Sequence, residues 1–97
     1  MDYSKLSDDE INNMVGRAVS QRFRTDYCND PGAAWPIIVA NGISLNHYTG
    51  TWEASYEYDA PIGAFGTDET VTGAIEHKNP LRAAMIVFLM MQENQHA

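Results

Sequence analysis

The sequence predicts an α+β fold in which a three-stranded antiparallel sheet packs against about three helices. Three segments begin at helix-capping residues and carry apolar runs, and the segment between the second and third alternates apolar and polar residues around a turn. The 97 residues fit a single domain over 1–97, since domains usually contain about 50–250 residues. Two Trp, five Tyr and three Phe supply the aromatic mass that disordered chains lack. We therefore expect a packed hydrophobic core.

The first helix is predicted over about residues 6–24. Ser7 is its expected N-cap and Glu10 completes a capping box, while Leu6 and Ile11 form a hydrophobic staple around it. The apolar positions then recur at helical spacing, at Ile11, Met14, Val15, Ala18 and Val19. This spacing predicts an amphipathic, half-buried helix.

A second, shorter helix is predicted over residues 31–41. Asp30 suits its N-cap, a proline occupies the first helical position, and Gly42 suits a left-handed C-cap. Pro36 lies inside the run and predicts a kink, because it removes one backbone donor. Trp35 is expected to anchor this helix to the core.

The middle of the chain predicts the sheet. Residues 43–48 and 51–58 form a hairpin around Thr49-Gly50, and residues 71–77 add a third strand. Residues 59–70 contain two Gly, one Pro and three acids and are predicted to form a long loop. The second strand alternates cleanly, with Trp52, Ala54, Tyr56 and Tyr58 on one face and Glu53, Ser55 and Glu57 on the other.

The last helix is predicted over about residues 80–94. Asn79 is its expected N-cap and Pro80 its first residue, and the run LRAAMIVFLMMQEN is apolar around most of its circumference. Such a helix needs cover on more than one side. We expect the sheet on one side and, on the other, either the remaining helices or a second subunit, which would make a homodimer through Leu81 to Met91.

The charge distribution bears on the partner. Six Lys and Arg against 13 Asp and Glu give a net charge of −7, which argues against direct nucleic-acid binding. All six cations lie outside residues 25–77, a stretch that holds eight acids. This stretch either solubilises the protein or steers a partner toward it. The candidate partner-binding residues are Glu53, Glu57, Asp68 and Glu69.

Other features of the sequence point to a soluble protein in a reducing compartment. Cys28 is the only cysteine, so an internal disulfide is impossible, and a buried thiol is its expected role. The N-terminus has no apolar targeting region, and the longest apolar run is shorter than the 18 or so residues that span a bilayer. We expect no membrane association.

No pattern predicts catalysis. His47, His77 and His96 lack the spacing of metal ligands, and nothing near Cys28 suggests an activated thiolate. Nucleophile elbows and phosphate-binding glycine loops are absent from the sequence. The expectation is therefore no enzymatic activity, no catalytic residues, no metal and no cofactor.

A second hypothesis is a small-molecule binder that sequesters a nucleotide-like signal. In it, an aromatic residue stacks on the ligand and a cation near the last helix start holds phosphate. A simpler interpretation is that the aromatic face is core and that Arg82 pairs with an acid such as Glu76. The ligand-binding candidates are Trp52, Tyr56, Phe65, Lys78 and Arg82.

Two blocks, CNDPGAAWPIIVANGISL and NPLRAAMIVFLMMQE, together with the opening DYSKLSDDEIN, resemble the NinX-like family of small accessory proteins of lambda-type tailed phages. The resemblance leaves residues 46–76 uncovered. It implies a phage or prophage product that acts in the host cytoplasm, is dispensable for building virions and has no established activity. The layout also looks like a small phage α/β sandwich module. The favoured function is a non-enzymatic binder of a host protein, serving host modulation or counter-defence, with the acidic middle and the 59–70 loop as its contact surface.

Overall fold

The computed structural model describes the backbone of residues 2–21, 23–62 and 67–96, and the side chains of residues 2–21, 23–57 and 73–93. The three strands form an antiparallel sheet in the order β1-β2-β3. The predicted α+β fold, with three helices and a three-stranded antiparallel sheet, is confirmed. In chain order the elements are a 3-10 helix (Tyr3–Lys5), α1 (Asp8–Ala18), α2 (Pro31–Asn41), β1 (Ser44–Tyr48), β2 (Thr51–Ile62), β3 (Thr67–His77) and α3 (Pro80–His96).

Helix α1 begins where its capping box predicts. The Ser7 hydroxyl accepts from the Glu10 backbone N–H at 3.1 Å, and the Glu10 carboxylate accepts from the Ser7 N–H at 3.2 Å. Ile11 and Val15 are fully buried on one side of the helix. The predicted amphipathic face therefore meets the core at Ile11, Met14 and Val15, whereas Ala18 and Val19 at its end are exposed.

The predicted end of this helix, near residue 24, is wrong, because α1 ends at Ala18. The Gln21 N–H donates to the Gly16 carbonyl at 2.8 Å and the Ser20 N–H to the Arg17 carbonyl at 3.3 Å. These are the two bonds of a Schellman motif. Its left-handed position is held by Ser20, with φ 59°, instead of the usual glycine, so the sequence gives no stop signal there.

Helix α2 has the predicted ends but not the predicted anchor. The Asp30 carboxylate accepts from the Gly32 N–H at 3.0 Å, and Gly42 is left-handed with φ 64°. The core-facing residues are Ala34, Ile37 and Ile38. Trp35 is 58% exposed, so the prediction that it anchors the helix is wrong. Because α2 is apolar on every side, its sequence could not indicate which side is buried.

The hairpin of β2 and β3 is longer than predicted. The strands pair from Trp52 with His77 out to Ile62 with Thr67. The loop predicted over residues 59–70 is therefore wrong at both ends, and residues 63–66 lie outside the described residues. β1 pairs only with residues 51–55, so β2 is an edge strand beyond them. An edge strand tolerates a proline such as Pro61, since its N–H is not needed by a second neighbour.

Helix α3 lies at the centre of the core. It packs against β2 and β3 on one side and against α1 and α2 on the other. Residues 82–89 are all buried within this one chain. The apolar circumference therefore needs no second subunit for cover, and the homodimer through Leu81 to Met91 stays a prediction without that support. Among the described residues, no helix combines the length and apolarity needed to cross a bilayer.

Gly73 makes room for a core side chain. It lies opposite Tyr56 in the sheet register, and a β-carbon built on it would lie 2.9 Å from Cζ of the Tyr56 ring. Because Tyr56 is buried, its ring has little space to move. Gly73→Ala is expected to lower the free energy of unfolding by about 1–3 kcal/mol in urea denaturation.

The matched control is Ala74→Val, at the next position of β3 on the exposed side of the sheet. Valine suits a strand, and surface substitutions usually change stability by less than about 0.5 kcal/mol. If both variants unfold at the urea concentration of the unmodified protein, the close approach of Gly73 to Tyr56 is not present in solution.

Candidate functional site

One face of the sheet is turned away from the helices. Side chains alternate between faces along a strand, and Ala54 and Tyr56 on the other face enter the core. The register sets Glu53 opposite both Asn46 and Glu76. Strands β1 to β3 contain no Lys or Arg. We call this side of the sheet the open sheet face, and its outward residues include Ser44, Asn46, Tyr48, Glu53, Glu57 and Glu76.

Two carboxylates on this face oppose each other directly. Glu53 and Glu76 are cross-strand partners, and like charges at such positions destabilise a sheet. With no cation on any of the three strands, nothing on the sheet itself offsets this repulsion. The open sheet face is therefore suited to the approach of positive charge from another molecule.

Two of the four predicted partner-binding residues lie on the open sheet face, and the other two lie farther along the β2–β3 hairpin. Glu57 is exposed and Glu53 half-buried, both on the open sheet face. Asp68 and Glu69 pair with Pro61 and Ala60 in the β2–β3 ladder, and their side chains lie outside the described part. Glu76 was not among the predicted residues. The position of Glu76 opposite Glu53 follows only from the register of the strands.

Helix α2 presents a second outward surface without charge. Trp35 is 58% and Val39 60% exposed, and the helix sequence PGAAWPIIVAN contains no charged residue. Grouped exposed apolar side chains mark interaction sites more often than scattered ones do. We call its exposed residues the uncharged face of α2: Pro31, Gly32, Trp35, Pro36, Val39 and Ala40.

A hollow lies between the C-terminal end of α2 and the sheet. Its volume is about 330 Å³, and it is lined by Asn41 and Gly42 at the end of α2 and by Ser44, Ser55 and Glu57 on the sheet. The C-terminal end of the helix therefore adjoins the open sheet face. Of the carboxylates on that face, Glu57 lines the hollow.

Arg82 occupies a structural position. It is 7% exposed, and its Nη1 lies 2.6 Å from Oδ1 of Asp8. Its Nη2 donates to the carbonyls of Leu6 at 2.6 Å and Ser4 at 3.3 Å. The predicted pairing with Glu76 is therefore wrong. Chiefly through its hydrogen bond, the guanidinium lowers the pKa of the Asp8 carboxyl, and this pair fastens the N-terminal segment to α3.

A second polar cluster surrounds Cys28, which is buried as predicted. The Asn12 side chain accepts from the Cys28 N–H at 3.0 Å and donates to Asp26 at 2.9 Å. Asn79 donates to the Cys28 carbonyl at 2.6 Å. Burial raises the pKa of the Cys28 thiol to about 12, so the thiol is protonated at neutral pH. The cluster ties α1, the turn before α2 and α3 together.

The ligand-binding candidates do not converge. Tyr56 is buried in the core and Arg82 is engaged by Asp8, whereas Lys78 is exposed. Trp52 is half-buried and its ring lies 4.7 Å from that of His47, at an interplanar angle of 48°. Phe65 lies outside the described residues. These positions count against a stacking site built from this set.

Within the described ranges, no group of three or more His, Cys, Asp or Glu residues is arranged to hold a metal ion. The carboxylates of the open sheet face are arranged along the strands and are not gathered around one point. Their chemistry is that of a charged surface.

Comparison with known protein families identifies a relationship to a phage family. The sequence model of the family described as "Bacteriophage P22, NinX" matches residues 17–92. The match runs from the end of α1 into α3 and includes residues 46–76. No curated protein and no solved structure matches the chain significantly.

Proposed function

The chain belongs to the bacteriophage P22 NinX family and is thus a phage accessory protein, and from this premise we propose that it acts by binding a protein of the bacterial host. It does so without catalysis, through the uncharged face of α2 and the open sheet face. The proposed compartment is the host cytoplasm, which suits a chain with one cysteine.

The exposure of Trp35 is the observation that carries this proposal. Tryptophan is the side chain most enriched among the residues that dominate binding energy at interfaces. Here 58% of it faces solvent, beside Val39, on a helix without charge. The core takes up the opposite side of α2 and leaves this side uncovered within the described part of the chain. A partner that buries Trp35 removes a large apolar area from water.

The open sheet face specifies the chemistry of the partner. Glu53, Glu57 and Glu76 favour a surface with lysine or arginine, and a cation placed between Glu53 and Glu76 relieves their repulsion. The partner is therefore a host protein whose basic residues border an apolar pocket for Trp35. Charge steering of this kind makes association faster at low salt.

The experiment is affinity purification of the tagged full chain from the bacterial host, followed by quantitative mass spectrometry of the proteins that accompany it. Two variants remove the proposed contacts: Trp35→Gln, and charge reversal to Lys at Glu53, Glu57 and Glu76. Val19→Gln and Asp9→Lys are matched controls, since both residues are exposed outside the two surfaces. The partner is then purified and its affinity measured directly.

We expect one host protein to accompany the unmodified chain and both controls in constant proportion. Its affinity should fall by about 30-fold or more with Trp35→Gln, the loss typical of a central interface tryptophan, and by about tenfold or more with the charge reversal. A set of accompanying proteins that is the same for all variants would refute the proposal.

A further inference from the structure

A cleft lies beside α1, away from both proposed protein-binding surfaces. Its volume is about 440 Å³, and it is formed by the C-terminal half of α1 and the segment that follows. Pockets for small molecules usually measure about 300–1,000 Å³. None of its lining residues belongs to α2 or to the sheet. The lining includes Asn13, Arg17, Phe23, Arg24, Thr25 and Tyr27.

The cleft is lined by positive charge, although the chain as a whole is acidic. Arg17 and Arg24 are two of only six cations in a chain of net charge −7. Within the described part of the chain, neither guanidinium has a hydrogen-bond or ion-pair partner. Asp9 and Asp26 line a smaller hollow that shares Arg24, so an anion is favoured on the side of Arg17. Planar guanidinium groups match the geometry of phosphate and carboxylate oxygens.

An exposed aromatic side chain, that of Phe23, also lines the cleft. Phe23 is 80% exposed, the most exposed of the large apolar side chains that the structure describes. Stacking on a planar ring is the usual way in which an exposed aromatic side chain binds a nucleobase. The floor near it contains the buried Tyr27. The cleft therefore offers cations and a stacking surface together.

Two positions beside the cleft hold residues that are not the most favourable ones for helix stability. Gly16 lies inside α1, where glycine is less favourable than alanine. A β-carbon there would meet only Tyr27, at an ordinary distance of 4.0 Å, so packing does not require glycine. The left-handed position after the helix, which favours glycine, is Ser20. A glycine that lines a cleft without a packing reason leaves room for close approach of a ligand.

We propose that this cleft binds a small ligand that combines a phosphate group with a planar base, as a mononucleotide does. Arg17 and Arg24 hold the phosphate, and Phe23 stacks on the base. The ligand is small because the charge of the whole chain repels a polyanion such as nucleic acid. The site is independent of the protein-binding surfaces and goes beyond the proposed function.

The test is isothermal titration calorimetry of the purified full chain with the four ribonucleoside 5′-monophosphates, the matching nucleosides and inorganic phosphate. Arg17→Gln with Arg24→Gln removes the cations, and Gly16→Leu fills the floor without changing charge. Lys5→Gln is the control for charge, since Lys5 is an exposed cation outside the cleft. Circular dichroism verifies that each variant is folded.

We expect saturable binding of at least one monophosphate with a Kd below about 1 mM. The double arginine variant and Gly16→Leu should each weaken it by about tenfold or more, whereas Lys5→Gln changes it by less than about twofold. Nucleoside alone and phosphate alone should each bind about tenfold more weakly than the nucleotide.

Three results would overturn the proposal. One is the absence of saturable binding by all four nucleotides. Another is an equal loss with Lys5→Gln, which would reduce the effect to general charge attraction. The third is phosphate binding as tightly as the nucleotides, which would remove the role of Phe23. Trp35→Gln should leave nucleotide binding unchanged, because Trp35 does not line the cleft. A negative result for nucleotide binding therefore leaves the proposed protein binding standing, and the reverse also holds.

Discussion

Arg82→Met is expected to lower the free energy of unfolding by about 2–4 kcal/mol. The substitution removes the guanidinium that bonds Asp8 and the carbonyls of Ser4 and Leu6. Methionine fills much of the same space but satisfies none of these acceptors. Because the Asp8 side chain is 43% exposed, solvent weakens the charge attraction. Most of the loss therefore comes from the carbonyls of the N-terminal segment.

Urea denaturation measures this loss, with Arg17→Met as a control that removes an exposed cation and should change stability by less than about 0.5 kcal/mol. Arg82→Lys should recover only part of the stability, since an ammonium cannot reach three acceptors in a planar fork. Equal stability of Arg82→Met and the unmodified protein would show that this buried pair does not hold the N-terminal segment.

The pair also sets a dependence on pH. The pKa of the Asp8 carboxyl is lowered in the folded state from its ordinary value of 3.8. A group with a lowered folded pKa stabilises the protein fully above its unfolded pKa and loses that contribution as pH falls through the folded pKa. The stability difference between the unmodified protein and Arg82→Met should therefore be constant from pH 7 to about 5 and narrow below 3.8.

The features that could be predicted from sequence are those set by neighbouring residues. The starts of α1, α2 and α3 depend on Ser7, Asp30 and Asn79, whose side chains bond backbone groups two or three residues away. A capping residue followed by an apolar run is visible without knowledge of the fold. For the same reason, the hairpin at Thr49-Gly50 was placed correctly.

The predictions that are wrong concern features that depend on distant parts of the chain. Arg82 pairs with an acid 74 positions away, and no local pattern distinguishes Asp8 from the nearer Glu76. The burial of Trp35 was mispredicted because α2 is apolar on every side. The long hairpin depends on strand pairing, which outweighed the glycine, proline and acid content that predicted a loop.

The candidate surfaces also combine features that neighbouring residues set with features that depend on distant parts of the chain. The acidic stretch was visible from composition, so Glu53 and Glu57 were predicted, but Glu76 joins them only through the register of β3. The cleft beside α1 was not predicted at all. It exists because the chain turns back after Ser20 in a left-handed conformation, which brings Phe23 and Arg24 to the side of Arg17.

Asn79→Ala is the second substitution with a large expected effect, a loss of about 2–4 kcal/mol in the free energy of unfolding. The Asn79 side-chain oxygen accepts from the backbone N–H of Leu81 at 2.9 Å and so caps α3. Its amide nitrogen donates to the buried Cys28 carbonyl at 2.6 Å. Alanine removes the cap, which contributes about 1 kcal/mol, and leaves the carbonyl without a partner, which costs about 1–3 kcal/mol.

Asn79→Ser separates these two contributions. Serine caps a helix as well as asparagine does, but its side chain is too short to reach the Cys28 carbonyl as well. Its loss of stability in urea denaturation should therefore be about 1–3 kcal/mol, which is about 1 kcal/mol less than the loss for Asn79→Ala. Asn46→Ala, at an exposed strand position, is the control. If Asn79→Ser matches the unmodified protein, the bond to Cys28 contributes nothing; if it matches Asn79→Ala, the cap contributes nothing, and α3 is held at its start by the link to Cys28 alone.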